Sequence, residues 1–130
     1  MAIQVEIVTP EQLAWSGQAR EVRLPGWNGE FGVLEQHEYF LTLLRGGTAT
    51  VVTDTGAVTR FIIGRGFAEA TPNKVTVLTD SVIAEADLDK TKAAAKYSEI
   101  ERRLGTLSGY DAEWDVAEEQ LEIALASLAL

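Results

Sequence analysis

The 130-residue sequence has no cysteine and a single histidine, His37. The first absence excludes disulfides and thiolate metal sites and fits a reducing compartment. The second excludes a histidine-rich metal centre and the HExxH pattern of zinc hydrolases. No GxxxxGK[ST] loop is present to cradle phosphates, and no serine stands in a GxSxG elbow. No apolar run approaches the ~20 residues of a membrane-spanning helix; the longest, Ile123 to Leu130, is broken by Ser127. The opening MAIQVEI has no basic segment leading into an apolar core, so no secretory signal is expected. Positive charge is also scarce. Eleven Lys and Arg face twenty Asp and Glu, giving a net charge of −9 and a pI near 4.5. Such a surface repels nucleic acid and anionic lipid. Neither nucleic-acid binding nor direct membrane insertion is expected, and no catalytic residue or metal ligand set can be named.

Short alternating segments dominate the first two thirds of the chain. In IQVEIVT, Ile3, Val5 and Ile7 alternate with Gln4 and Glu6, the period of a half-buried strand. AREVRLP repeats the pattern through Val22 and Leu24, and Pro25-Gly26 closes it ahead of the turn-rich WNGEFG. TATVVTDTGAVTRFIIG reads as a hairpin about Asp54-Thr55-Gly56, and RGFAEATPNKVTVLT as another about Pro72-Asn73. Many short strands with regular turns imply a sandwich or barrel.

After Asp87 the period changes. Ala93, Tyr97, Ile100, Leu104 and Leu107 form one helical stripe, and Trp114, Ala117, Leu121, Ala124 and Leu128 form a second. Gly105 and Gly109 separate them, with Ser108 or Asp111 as the next N-cap and Asp87 as the first. So short a link predicts antiparallel neighbours. The expected units are therefore a sandwich over 1–84 and a helical hairpin over 85–130. The first helix, Leu88 to Leu104, has five bases and three acids; the second, Asp111 to Leu130, has six acids and no base. Charge complementarity between the helices is expected to help pair them.

The segment NGEFGVLEQHEYF, Asn28 to Phe40, reads on its residues as a glycine-containing turn feeding a buried strand. The succession of motifs resembles the epsilon subunit of bacterial and chloroplast rotary ATP synthases. The resemblance rests on Gly29, Gly32 and Val33; His37; Gly64 and Gly66; Asn73, Val75, Thr76, Val77 and Leu78; and Asp87, Leu88 and Asp89. It spans nearly the whole chain. It implies a ten-stranded β-sandwich followed by an antiparallel helical hairpin. It implies a non-catalytic rotor part without a cofactor, clamping the foot of the gamma shaft and resting on the polar loops of the membrane c-ring in proton-driven ATP synthesis. The implied place is peripheral, on the cytoplasmic face of the inner membrane or the stromal face of the thylakoid membrane. Gly29, Glu30, Phe31, Gly32 and His37 would lie at the c-ring and gamma interface, and the tail would touch the catalytic alpha and beta subunits transiently.

The chain departs from the family at three places. Where the family has two prolines around the histidine, this chain has Glu35, Gln36, His37, Glu38 and Tyr39, a loop expected to be looser and more negative. The second helix lacks the bases with which the family's tail engages catalytic subunits, so a weak brake is expected, resting on Arg102 and Arg103. The nucleotide-binding motif of some members falls on Leu88, Asp89, Lys90, Thr91, Lys92 and Ala93. Lys92 stands where those members have arginine, losing the planar bidentate fork. ATP binding through Asp89 and Lys92 is therefore not expected, and a helix bracing the sandwich through Leu88, Tyr97 and Ile100 is. Two other classes stay open on the residues alone: a free-standing β-sandwich binding module with a helical lid, and a hydrolase with an unrecognised site.

Overall fold

The computed structural model describes residues 2–130. Among these, ten strands precede two α-helices: β1 Ile3–Val8, β2 Leu13–Ala19, β3 Glu21–Gly26, β4 Gly29–Leu34, β5 Phe40–Leu44, β6 Gly47–Val52, β7 Val58–Ile63, β8 Gly66–Thr71, β9 Lys74–Thr79, β10 Val82–Ala84, α1 Lys90–Leu104 and α2 Ala112–Ala129. The strands hydrogen-bond in the order β10-β7-β6-β3-β5-β8-β9-β1-β2, with β4 joined to β3 alone. Every pairing is antiparallel except β1 with β9. β3 is the corner. Its first half, Glu21 to Arg23, pairs with β6, and Gly26 at its end pairs with Leu44 of β5. The sheet thereby folds over itself into two layers.

The alternation seen in the sequence is the alternation of the layers. Ile3, Val5 and Ile7 of β1, Val22 and Leu24 of β3, Phe61 and Ile63 of β7, and Val75 and Val77 of β9 turn inward into one core. β8 offers only Ala68 and Ala70 there, which leaves room for the large side chains opposite. Ile62 points to the other side of β7 and is nevertheless fully buried, because α2 lies across β6 and β7. Strand β2, like β10, is absent from the sequence pattern. In β2 the apolar Ala14 and Trp15 are adjacent rather than alternating, and pairing with β1 imposes the strand. The WNGEFG segment is a hairpin: Trp27-Asn28 turns, and Gly29 opens β4 at φ 129°, a conformation reserved largely for glycine. β4 is an exposed edge rather than a buried strand.

The helices correct three expectations. α1 starts at Lys90, and its N-cap is Asp89, whose Oδ1 accepts the Lys92 N–H at 3.1 Å; Asp87 belongs to a single 3-10 turn over Glu85–Asp87. Only Asp89 has the extended backbone at the spacing the cap requires. The brace on the sandwich is α2, not α1, which packs mainly on α2 with Ile100 buried. Finally, Glu118, Glu119 and Glu122 of α2 turn toward arginines of the sandwich, not toward the bases of α1.

Candidate functional site

The segment expected at an interface runs along an edge and does not gather into a site. Gly29, Glu30 and Gly32 are exposed on β4. Phe31 turns inward and meets Phe40 edge-on, with ring centroids 5.8 Å apart. His37 lies beyond the far end of β4. Its Nδ1 is 2.9 Å from the Glu38 carbonyl oxygen, its ring lies 5.7 Å from that of Phe40, and its Nε2 is buried without a partner among the described residues. The loop without prolines is tied down another way. Gln36 adopts φ 59°, and its N–H donates to the Pro72 carbonyl at 2.9 Å.

A different surface stands out by its chemistry. On the outward face of β5, Tyr39 precedes Leu41 and Leu43 at alternate positions, exposed by 75%, 71% and 55%. Leu43 is paired across the strands with Phe67 of β8, itself 46% exposed, and Phe67 is paired with Leu78 of β9. Contiguous large apolar side chains on a chain this acidic mark a contact surface.

The hairpin and the sandwich enclose a cleft of about 310 Å³, lined by Ile83, Leu88, Ala93, Ile123 and Ala124 with Asp89, Lys92 and Lys96 among its polar residues. Asp89 and Lys92 are thus brought together, but the aspartate oxygen is occupied as the helix cap. The Gln120 Oε1 is buried without a partner among the described residues. The bases lining this cleft are Lys92 and Lys96, both from α1. Calorimetric titration of the isolated chain with millimolar ATP is expected to give no heat. Micromolar binding lost on Lys92→Ala would overturn that expectation. Arg102 and Arg103 are at the other end of α1, in its last turn, where they complement the helix dipole.

The hairpin is also seated on the sandwich by charge. Glu122 receives Arg45 through Nη2 at 2.7 Å, Arg65 through Nε at 3.0 Å and the Gly46 N–H at 2.9 Å. Glu119 accepts the Arg65 backbone N–H at 2.7 Å. The two guanidinium groups lie 5.1 and 5.0 Å from the Trp27 ring centre, a double cation–π contact. Burial works to raise the Glu122 carboxyl, but hydrogen bonds from Arg65, Arg45 and Gly46 outweigh it and hold the group below the usual carboxylate range. Three residues earlier the balance reverses. Burial first, and then a hydrogen bond with Asp80, hold Glu119 above that range despite the Arg65 N–H.

Residues 2–85 match the family model described as the ATP synthase Delta/Epsilon chain, beta-sandwich domain. The ATP synthase epsilon chain of Anaeromyxobacter sp. (strain K) is 35% identical over 130 residues, covering 100% of this chain and 98% of the relative. That of Desulfatibacillum aliphaticivorans is 41% identical over 102 residues, covering 78% of this chain and 72% of the relative. This chain belongs to the ATP synthase epsilon-chain family. A chain in the Euglena gracilis mitochondrial ATP synthase assembly of OSCP, F1 and c-ring superposes with a TM-score of 0.82, covering 98% of this chain and 80% of that one. At 24% identity that likeness is one of fold. Within this epsilon-family chain the motif glycines Gly64 and Gly66 flank Arg65, but none of the motif residues is Arg45, Trp27, Glu119 or Glu122. A signal was nevertheless present: arginine inside two glycine-bearing loops, RGG at 45–47 and GRG at 64–66, and glutamates three apart on the last helix.

Proposed function

We propose that the chain is a non-catalytic rotor subunit in the central stalk of an ATP synthase, coupling the gamma shaft to the c-ring. The observation that carries this reading is the apolar outer face of Tyr39, Leu41, Leu43 and Phe67, in a chain of the epsilon family. A rotor part must hold a shaft without slipping, and a flat apolar sheet face with polar surroundings provides such a grip. In this reading gamma covers that face, and the exposed edge of β4 with Glu30 faces the c-ring loops. The protein is peripheral, on the membrane face that carries the catalytic head. None of the helices among the described residues is long and apolar enough to cross a membrane.

In the same reading the sandwich and the hairpin are separate modules, and assembly is the work of the first. The core closes among strands alone, and the 3-10 turn at Glu85–Asp87 is free of buried residues. The chain truncated after Ala86 is therefore expected to keep the β-sheet circular dichroism of the sandwich. In a pull-down from native membranes it is expected to recover gamma and the catalytic hexamer as well as the full chain does. A folded monomer that recovers neither, in both forms, would refute the rotor reading. An unfolded truncation would refute only the two-module reading.

A further inference from the structure

We propose that Glu122 is the latch that holds the helical hairpin on the sandwich, and that its neighbour Glu119 works against it. The inference rests on the two-module reading above. The seat is built for a carboxylate. Two loops of the sandwich, between β5 and β6 and between β7 and β8, each present an arginine beside glycine, and both arginines converge on Glu122. The glycines are required by the approach of α2. A Cβ on Gly46 would stand 2.9 Å from the Glu122 Cβ and 3.4 Å from the Glu119 carbonyl oxygen, and one on Gly64 would overlap the carboxylates of Asp80 and Glu119. Trp27 backs both guanidiniums. With Arg45 and Arg65 both oriented by the ring, less rotamer freedom is lost when Glu122 arrives.

Glu119 faces a different balance. It takes the Arg65 N–H, but its Oε2 lies 2.6 Å from the place a Cβ on Gly64 would take, which the Asp80 Oδ1 from the β9–β10 turn also overlaps, so two acids share one part-buried place. Glu118 stands 3.9 Å from Arg65 on the exposed side. Two glutamates on one helix therefore have opposite signs. Ionised Glu122 tightens the seat and ionised Glu119 loosens it.

Hydrogen–deuterium exchange on the full chain separates the cases. Glu122→Gln is expected to lower the protection of the α1 and α2 amides about 10- to 100-fold, the scale of a charge-assisted network, with the amides of β1, β3 and β9 unchanged. Glu119→Gln keeps an acceptor for the Arg65 N–H and removes the repulsion. It is expected to raise helix protection about threefold or more. Gly46→Ala keeps every charge and is expected to act in the direction of Glu122→Gln by displacing α2. High salt is expected to lower helix protection in the wild type and to have less effect in Glu122→Gln. Unchanged helix protection in Glu122→Gln, or a fall in Glu119→Gln, overturns the latch alone. An equal loss in helices and sandwich overturns the two-module reading, and the latch with it.

Discussion

Leu41→Asp combined with Leu43→Asp is expected to abolish assembly with the ATP synthase while leaving the sandwich folded. Both side chains point away from the core, exposed by 71% and 55%, so the isolated chain loses little by their replacement. Aspartate disfavours strands, at a cost of up to about 1 kcal/mol per residue. The buried neighbours Leu44, Val22 and Val33 are untouched and carry the fold. In the proposed rotor reading the same two positions are covered by gamma. Burying an unpaired carboxylate there costs several kcal/mol, and two of them weaken binding by at least about 100-fold. The checks are a thermal melt of the isolated variant and its recovery with gamma in a pull-down. Leu41→Thr with Leu43→Thr keeps β-propensity and is expected to weaken assembly in the same direction by a smaller factor. If the double aspartate variant assembles like the wild type, the partner does not cover this face.

The same residues show how the sequence conveys some features and hides others. β1, β3 and β9 are legible because they are covered on one face only, which enforces a period of two. The β6–β7 hairpin is legible through Gly56, whose φ of 86° the Asp54-Thr55-Gly56 turn demands. β2 is not legible. Its outward positions Leu13 and Ser16 and its adjacent Ala14 and Trp15 carry no period, and its place comes from the neighbouring β1. The two helical stripes correctly predict the hairpin, but not its orientation on the sandwich. α2 has three neighbours at once, α1, the β6–β7 surface and the arginine loops, so its contact face is wider than one stripe. Ser127 is buried within it because its Oγ is satisfied by the Ile123 carbonyl at 2.7 Å.

Charge was legible in amount but not in direction. The acidic second helix and the more basic first helix suggest each other as partners, yet the arginines that matter sit in sandwich loops 77 and 57 residues away from Glu122. A part-buried carboxylate gains more from converging guanidiniums and a backbone N–H than from exposed lysines across a helix pair. That is why the second helix can be so acidic without destabilising the hairpin. Three of its six acids are directed to the sandwich.

Gly66→Ala is expected to destabilise the chain by about 3 kcal/mol, the upper part of the range for overpacking, and to lower Tm by about 10 °C. Gly66 begins β8 between two neighbours, paired with Leu44 of β5 and Thr79 of β9. A Cβ there would overlap the Leu78 carbonyl oxygen and stand 2.9 Å from the Leu78 carbonyl carbon and 3.0 Å from the Thr79 Cα. All three atoms are backbone of the adjacent strand, so no side chain can swing aside. β8 and β9 must part where Phe67 faces Leu78 and where Thr79 turns into the core. Gly32→Ala provides the contrast. Its Cβ would meet only the Glu21 Oε1, at 3.9 Å, and its backbone is outside the left-handed region. That change is expected to be neutral, or to stabilise by about 0.5 kcal/mol by restricting the unfolded chain. Of these two glycines, only Gly66 is expected to be needed for the fold. If Gly66→Ala melts with the wild type and Gly32→Ala melts early, the backbone approach of β8 and β9 is not what fixes that position. If the order is as expected, the fold does not require glycine at position 32, where a Cβ has room.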